Sequence, residues 1–273
     1  MKRSLLFILL TLLAPLSTYA QPTTSPDDAE LSKIALLIYQ NECAGQMENL
    51  VVWNRGEAFP SLGIGHFIWY PEGYRGPFKE SFPALLEFMQ LQHVSVPPAL
   101  QKANGAPWAN RDHFRQADQN TPEVEKLRVF LRDTMPVQAS FMRERFNAAL
   151  ADILQAAPPE KRTRLLRHYQ RVADAPMGYY ALMDYVNFKG EGTKASERYQ
   201  GHGWGLLQVL EQMADGGDAI EAFADAATVV LERRVANAPP ERNEGRWLPG
   251  WKNRIASYVD QHRKFLRGVS TTR

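Results

Sequence analysis

The fold and the candidate site are both decided by residues 31–70, which read LSKIALLIYQNECAGQMENLVVWNRGEAFPSLGIGHFIWY. Apolar residues recur at helical spacing at Leu31, Ala35 and Ile38, which predicts an amphipathic helix from Leu31 to about Glu42. Glu42 lies four positions after Ile38 and therefore on the same face. A carboxyl group on an apolar face is poorly solvated, which raises its pKa toward the range that a general acid needs. The alternative interpretation is that the helix ends earlier and Glu42 points to water.

The segments on either side of this helix carry its start and stop signals. Residues 25–28, Ser-Pro-Asp-Asp, supply a cap, a proline for the first helical position and acidic residues for the first turn. Gly45 can adopt the positive φ that ends a helix. Beyond it, Leu50–Trp53 and Ser61–Trp69 are rich in β-branched and aromatic residues, and Asn54–Gly56 joins them. This pattern predicts a β-hairpin.

The rest of the chain predicts mostly helices. A short helix is expected over residues 81–92 and a loop over residues 95–120, which are rich in Pro, Gly, Asn and Asp. From Thr121 onward a succession of helices follows, broken by Pro158-Pro159 and by glycine-rich stretches. The expected fold class is therefore α+β, predominantly α-helical, with one small β-hairpin.

The first 20 residues have the pattern of a cleaved export signal. Lys2-Arg3 forms a basic start, an apolar run follows, and small residues close the segment. The run is too short to span a bilayer, so no stable membrane insertion is expected after cleavage; an uncleaved anchor is the alternative. The mature protein is expected in the periplasm or outside the cell. It would form a single domain over residues 21–273, with a helix and hairpin lobe at about 26–76 and a helical lobe at about 77–270.

Composition excludes several classes of function. Removing Lys2 and Arg3 from the 32 basic residues leaves 30, which equals the 30 acidic residues, so no nucleic-acid partner is expected. The six histidines show no His-Glu-x-x-His spacing, and there is no P-loop, so neither a metal nor a cofactor is expected. The single cysteine, Cys43, cannot form an internal disulfide. It is either a small buried hydrophobe or, with His66 as its base, a nucleophile.

One fairly specific motif carries most of the resemblance to a known family, and a weaker one lies near the end of the chain. A helix that ends in Glu42 is followed by Ser-Leu-Gly-Ile-Gly-His at residues 61–66, and Trp-Lys-Asn-Arg-Ile stands at residues 251–255. The first resembles the catalytic Glu and the Thr-x-Gly-x-Gly-His of phage-type lysozymes, and the second loosely resembles their Gly-Leu-x-Arg-Arg signature. The chain therefore resembles the lysozyme superfamily, most closely its phage-type members.

Two weaker motifs extend this resemblance. Ala181-Leu182 is followed nine positions later by Gly190-Glu191, which resembles the Ala-Leu…Gly-Glu core helix of the phage-type lysozymes. Gly-Trp-Gly-Leu-Leu-Gln at residues 203–208 resembles the Gly-Leu-Met-Gln segment of lytic transglycosylases, which form another branch. The resemblance implies a lysozyme-like fold in which the small hairpin flanks a substrate cleft.

The resemblance also implies catalytic roles. Glu42 takes the place of the general acid that protonates the glycosidic oxygen, and Ser61 takes the place of a residue that helps to position water. The family has an aspartate in the hairpin turn, whereas the carboxylates nearest to that position here are Glu57 and Glu48. Glu57 is the preferred second carboxylate. His66 matches a family histidine with a structural role.

A further set of residues is expected to contact the substrate, by stacking on sugars, by close approach of the backbone or by hydrogen bonds to N-acetyl groups. The set comprises Trp53, Gly63, Gly65, Tyr185, Asn187 and Gln208. For the two glycines an alternative stays open, because glycine also relieves crowding in a bent hairpin.

The function implied by the resemblance is cleavage of β-1,4 bonds in peptidoglycan or a related amino-sugar polymer. With Glu57 and Ser61 holding a water, the reaction is an inverting hydrolysis. With Glu42 alone, acting as acid and then as base, it is the lytic transglycosylase reaction, in which the sugar's own 6-hydroxyl attacks. The other hypotheses are a chitosanase-like polysaccharide hydrolase and a non-catalytic wall-binding protein. The near-zero net charge mildly favours the last, since a basic surface helps an enzyme to bind an anionic wall.

Overall fold

The computed structural model of the protein describes residues 26–76 and 78–270. The expected export signal, residues 1–20, lies outside the described residues. Within them the protein is predominantly helical with two small antiparallel sheets, which confirms the coarse fold class expected from the sequence. None of the helices in this part of the chain combines the length and the apolar character needed to cross a bilayer.

Helix α1 spans Asp28–Cys43 and carries Glu42 in its last turn. Its N-cap is Asp27, whose carboxylate accepts a hydrogen bond from the backbone N–H of Glu30 at 2.8 Å. Asp27, which belongs to the segment 25–28 expected to supply a cap, therefore caps the start of the helix. Its last helical residue is Cys43 and its C-cap is Ala44, with φ +52°. Gly45, with φ +66°, follows the cap. The helix thus includes Glu42, as the apolar periodicity predicted.

The predicted hairpin is a three-stranded antiparallel sheet. Strand β1 spans Val51–Val52, β2 spans Ser61–Leu62 and β3 spans Phe67–Ile68, with β2 in the centre. The prediction of one continuous strand over residues 61–69 is wrong, because residues 63–66 turn the chain back on itself. The backbone N–H of His66 donates to the carbonyl of Gly63 at 3.1 Å, and both residues have positive φ.

Helices make up most of the remaining described chain. Their bounds are α2 Phe82–Leu91, α3 Pro98–Gln101, α4 Arg111–Asn120, α5 Pro122–Asp133, α6 Met135–Ala156, α7 Pro159–Ala173, α8 Gly178–Lys189, α9 Leu206–Gln212, α10 Ala219–Asn237 and α11 Leu248–Ser270. Between α8 and α9, a second hairpin pairs β4, Arg198–Tyr199, with β5, His202–Gly203. Short 3₁₀ helices lie at Met47–Leu50, Ala195–Glu197, Pro240–Arg242 and Glu244–Trp247.

The prediction of a loop over residues 95–120 is wrong, because this segment contains helices α3 and α4. Helix α4 is polar along most of its length, so it offers almost no apolar periodicity from which a helix could be predicted. Its start is nevertheless encoded, because the side chain of Asn110 accepts a hydrogen bond from the backbone N–H of His113 at 2.9 Å.

Helix α8 is the central helix of the fold. Every residue from Gly178 to Tyr185 is buried, and the helix packs against α1, α6, α7, α9 and α11. Gly178 is required at its start, since a Cβ there would lie 1.7 Å from the carbonyl oxygen of Val172. The second half of α8 consequently lies beside the end of α1 and the first turns of α11.

Candidate active site

The carboxylate of Glu42 is held where α1, α8 and α11 meet. Its Oε1 accepts a hydrogen bond from Arg254 Nη2 at 2.6 Å and another from Asn187 Nδ2 at 3.0 Å. The side chain is 15% exposed. The interpretation that Glu42 simply points to water is therefore wrong. Asn187, which was expected to bind substrate, lies at the site but donates its hydrogen bond to Glu42.

A buried ion pair fixes the arginine that holds Glu42. Arg254 donates to Asp184 through Nε at 2.8 Å and through Nη2 at 2.7 Å, and Asp184 is fully buried. Tyr258 and Asn41 also donate to Asp184, at 2.6 and 3.3 Å. Burial alone would lower the pKa of Arg254, but the carboxylates of Asp184 and Glu42 outweigh burial and raise it. The guanidinium is therefore charged and fixed in orientation.

Helical spacing brings these partners together. Asp184 and Asn187 are three residues apart on α8, and Arg254 and Tyr258 are four residues apart on α11, so each pair shares one helix face. Sequence analysis missed Asp184, although an acid within an otherwise apolar helix signals a buried cation partner. The loosely matching stretch at residues 251–255 is the one that supplies Arg254.

The surroundings of Glu42 are more polar than the sequence predicted. An apolar environment was expected, yet Arg254 and Asn187 both donate to Oε1. The second oxygen, Oε2, has a different environment. His66 Nδ1 lies 3.6 Å from it, which is beyond hydrogen-bond distance. Oε2 therefore makes no hydrogen bond with the described residues.

His66 lies beside the second carboxylate oxygen of Glu42. Its Nε2 lies 3.2 Å from the backbone carbonyl of Asn49, which can only accept, so Nε2 carries a hydrogen. In the neutral ring Nδ1 is then without a hydrogen, and it faces Glu42 Oε2. The backbone of His66 is in the left-handed region, with φ +46°, which is uncommon for residues other than glycine although histidine adopts it more often than most. The structural role that the resemblance implies for His66 stays a prediction.

The nucleophile hypothesis for Cys43 is wrong. Its Sγ lies 3.7 Å from His66 Nε2, so the geometry alone would suit a thiol and its base. The thiol is completely buried, however, and burial, together with the charge of Glu42, raises its pKa to about 12. The reactive thiolate is not formed near neutral pH. Cys43 is a small buried hydrophobe, which was the other interpretation.

The two remaining predicted catalytic residues lie on the sheet side of the site. Glu57 is exposed and accepts a hydrogen bond from Asn54 Nδ2 at 3.1 Å. Desolvation by the surrounding protein raises the pKa of Glu57, against the opposing effects of Asn54 and of a charge on His66. Ser61 is buried on β2, and its hydroxyl has no hydrogen-bond partner among the described residues. It can therefore offer a hydrogen bond to a bound water or substrate.

Glu57 lines the first of two adjoining cavities, each of which has a volume of about 380 Å³. Trp53, Glu57 and Tyr74 line the first, while Tyr74 and Phe78 line the second, and Pro71 is shared by both. Volumes of this size are typical of small-molecule sites. Tyr74 is 48% exposed and Phe78 is 59% exposed, so their rings are accessible for stacking.

A third, smaller cavity of about 70 Å³ lies next to Asn187, and Arg145 and Glu191 also line it. It is far below the size of a ligand pocket and corresponds to roughly two water molecules. It therefore provides space for solvent beside the residue that holds Glu42.

The structure does not support two of the predicted substrate contacts. Tyr185 is wholly buried and its hydroxyl donates to the carbonyl of Trp204 at 2.8 Å, so the prediction that it stacks on a sugar is wrong. Gln208 is also buried. Its Oε1 accepts from the backbone N–H of Gly205 at 3.0 Å and its Nε2 donates to the carbonyl of Gly192 at 3.1 Å. The amide of Gln208 is thus used inside the protein.

The hairpin residues predicted to contact substrate have internal partners as well. Trp53 is largely buried and donates through Nε1 to the carbonyl of Glu57 at 2.9 Å, although it still lines the adjoining cavity. A Cβ at Gly63 would lie 2.3 Å from Gln138 Oε1, and one at Gly65 would lie 2.7 Å from the ring of Phe67. The structure therefore favours the alternative in which the two glycines relieve crowding.

Lys189 is a further residue near the site that the sequence did not indicate. Its Nζ is buried 3.3 Å above the ring of Trp251 and 3.9 Å above that of Phe188. Burial, and then the charges of Arg234 and Arg254, lower its pKa to about 6. The site therefore includes an amine that exchanges its proton near neutral pH.

Comparison with known proteins found no matching family model, no matching curated protein and no matching solved structure. Within residues 26–76 and 78–270, no group of three or more His, Cys, Asp or Glu side chains is arranged to hold a metal.

Proposed function

We propose that the protein is an exported glycoside hydrolase that cleaves β-1,4 bonds in the glycan of peptidoglycan. Glu42 is the group that protonates the glycosidic oxygen. One observation supports the proposal most directly: two donors from α8 and α11 fix Glu42 Oε1, while Oε2 stays without a hydrogen bond beside the hairpin. A proton donor that is fixed in orientation and has one free oxygen is what leaving-group protonation needs.

The geometry around Oε2 indicates which group supplies the proton that Glu42 donates. Arg254 and Asn187 hold Oε1 through hydrogen bonds, so the proton is exchanged at Oε2 and is supplied by a neighbouring side chain. His66 Nδ1 is that neighbour, at 3.6 Å. Contraction of this distance on substrate binding allows an imidazolium to pass its proton to Oε2, which then gives it to the departing sugar oxygen.

The sheet side of the site supplies the remaining parts of the reaction. In hydrolysis, Glu57 takes a proton from a water held by the Ser61 hydroxyl, and that water attacks the anomeric carbon from the face opposite Glu42. A carboxyl separation of about 6.5–9.5 Å accompanies this inverting route. In transglycosylation, the sugar's own 6-hydroxyl attacks and Glu42 takes its proton back.

The substrate assignment is supported by the accessible rings and by the convergence of separate motifs. Tyr74 and Phe78 offer exposed faces along the two adjoining cavities, and aromatic faces are suited to the apolar faces of sugars. Glu42, Asn187 and Arg254 come from the three stretches that resemble lysozymes, and they contact one another.

A non-catalytic wall-binding protein is the second candidate function, and a specific observation favours it. The ion pair between Arg254 and Glu42, with Nη2 and Oε1 2.6 Å apart, stabilises the form of the acid that cannot donate a proton. Such a protein would keep the cleft and bind glycan without cutting it.

Mass spectrometry of purified peptidoglycan incubated with the protein distinguishes these functions. Hydrolysis releases fragments with reducing ends, and transglycosylation releases 1,6-anhydro ends. Sedimentation of the protein with intact wall and no soluble fragments would contradict the enzymatic proposal and support the binding function. If the protein neither releases soluble fragments nor sediments with the wall, the enzymatic proposal and the binding function are both contradicted.

A further inference from the structure

A separate cationic cavity lies where the β4–β5 hairpin meets α7, α9 and α10. Its volume is about 400 Å³, and Lys161, Arg198 and Arg233 line it together with His202. This size is typical of small-molecule sites. None of the described residues that contact Glu42 belongs to its lining.

Arg233 has no oppositely charged partner among the residues that the structure describes. Its side chain makes no hydrogen bond or ion pair with any other residue in the described ranges, and its Nε is buried without a partner. The next residue, Arg234, shows the usual arrangement, because its Nε and Nη2 donate to Glu244 at 2.7 and 3.0 Å. A buried donor without an acceptor destabilises the folded protein. An acceptor from outside the protein would remove this destabilisation.

The other charges around the cavity do not neutralise Arg233. Arg198 donates to the backbone carbonyls of Gly192 and Gly201 at 3.3 and 3.4 Å, and neither carries a full charge. Lys161 is paired with Glu211 at 2.9 Å, and Glu211 is the one acid among the described lining residues. Two guanidinium groups therefore face the same cavity without a carboxylate of their own.

The rest of the lining limits what kind of anion fits. Ala156, Pro158 and Leu207 form an apolar part of the wall. Guanidinium groups bind carboxylate and phosphate with two parallel hydrogen bonds, so both anions share the required chemistry. An apolar wall beside the cations favours an anion that carries a short aliphatic group over an inorganic one.

We propose that this cavity binds a small carboxylate ligand. Arg198 and Arg233 hold the carboxylate, and the aliphatic part of the ligand lies against Leu207. Binding supplies the missing acceptor for Arg233 Nε and neutralises the facing guanidinium groups. The proposal does not depend on the reaction at Glu42.

Isothermal titration calorimetry with the full chain tests the proposal, using N-acetylalanine, its uncharged amide and inorganic phosphate as probes. N-acetylalanine is expected to bind and its amide is not. Arg233→Gln and Arg198→Gln are each expected to weaken binding at least about tenfold, which corresponds to one charge-assisted hydrogen bond. Arg115→Gln, which alters an exposed arginine of α4, is expected to bind like the unaltered protein.

Thermal unfolding without ligand separates binding from folding. Arg233→Gln is expected to unfold at the same temperature as the unaltered protein or higher, because it removes a buried unpaired donor and a like charge. The proposal is overturned if N-acetylalanine and its amide bind equally, or if phosphate alone binds. It is also overturned if Arg233→Gln destabilises the fold while leaving the affinity for N-acetylalanine unchanged.

Discussion

The two carboxylate oxygens of Glu42 have different surroundings, and the proposed chemistry depends on that difference. Oε1 accepts hydrogen bonds from Arg254 and Asn187, whereas Oε2 lies 3.6 Å from His66 Nδ1 and makes no hydrogen bond with the described residues. The helix periodicity correctly predicted that Glu42 lies on the inner face of α1. It could not predict the cation, because Arg254 is 212 residues away in sequence.

Replacing His66 tests its role as a proton source. His66→Asn keeps a side chain that tolerates the left-handed backbone but is too short to reach Oε2. We expect kcat on purified peptidoglycan to fall about 10²-fold with little change in KM. The free energy of unfolding should fall by only about 1 kcal/mol, for the hydrogen bond to Asn49.

His93→Asn is the matched control, because His93 is also a histidine with positive φ, at +59°, and its side chain is exposed. This variant should keep full activity. Equal activity of the two variants would contradict a proton-transfer role for His66.

Lys189 makes the stability of the protein depend on pH. Its pKa is lowered from 10.5 to about 6 in the folded protein, so between these values the unfolded chain holds a proton that the folded chain does not. Stability from this group therefore rises with pH from about 6 to 10.5 and is lowest below about 6. The rings of Trp251 and Phe188 favour the ammonium by at most about 2 kcal/mol, which offsets part of the effect.

Lys189→Met is expected to raise the free energy of unfolding at pH 6 and to flatten its rise toward pH 10. One pKa unit corresponds to about 1.4 kcal/mol. The pKa of Lys189 is lowered from 10.5 to about 6. Because the aromatic rings offset part of this lowering, we count half of it, which is worth about 3 kcal/mol. Urea unfolding across this pH range measures it, with Lys126→Met, on the exposed face of α5, as the control. A curve for Lys189→Met that is parallel to that of the unaltered protein would show that Lys189 keeps an ordinary pKa.

At the scale of the elements, α8 and α11 are joined by a buried ion pair. Asp184 is fully buried and receives two hydrogen bonds from Arg254. Removing one member of such a pair leaves an uncompensated charge in the interior. Arg254→Gln should therefore lower the free energy of unfolding by about 3–5 kcal/mol, as measured by urea unfolding at neutral pH.

Two further variants control that prediction. Arg246→Gln changes an exposed arginine just before α11 and should alter stability by less than about 0.5 kcal/mol. The double variant Arg254→Gln/Asp184→Asn should lose less than the two single losses combined, because the charge left by one change is removed by the other. A loss of under about 1 kcal/mol for Arg254→Gln would contradict the buried-pair interpretation.

Elements with strong apolar periodicity were predictable from the sequence, and polar or sharply turned ones were not. Helix α1 and the helices after residue 121 follow the apolar pattern. The sheet was predicted as two strands because residues 61–69 are largely apolar, and alternation cannot show the turn at residues 63–66. Gly63 in that stretch had two open interpretations, contact with substrate and relief of crowding. The structure favours the second, because Gly63 accommodates Gln138 from a helix 75 positions along the chain.

At the scale of the whole molecule, the site is assembled from segments that are distant in sequence. The acid comes from α1, its two donors from α8 and α11, and the histidine from the turn between β2 and β3. A sequence shows which residue types occur in each segment but not which segments meet. Glu42 and Asn187 were therefore found as candidates, while Asp184, Lys189 and the position of His66 beside Glu42 needed the structure.

The measurement that tests the central claim most directly is digestion of purified peptidoglycan by Glu42→Gln. The substitution keeps the shape of the side chain and the acceptor for Arg254 but removes the proton that the leaving group needs. Glu48→Gln, which alters an exposed acid in the 3₁₀ helix Met47–Leu50 that follows α1, serves as the control. We expect soluble fragments from the unaltered protein and from Glu48→Gln, and a loss of about 10³-fold or more in Glu42→Gln with unchanged binding to the wall. Digestion by Glu42→Gln at the rate of the unaltered protein would contradict the account.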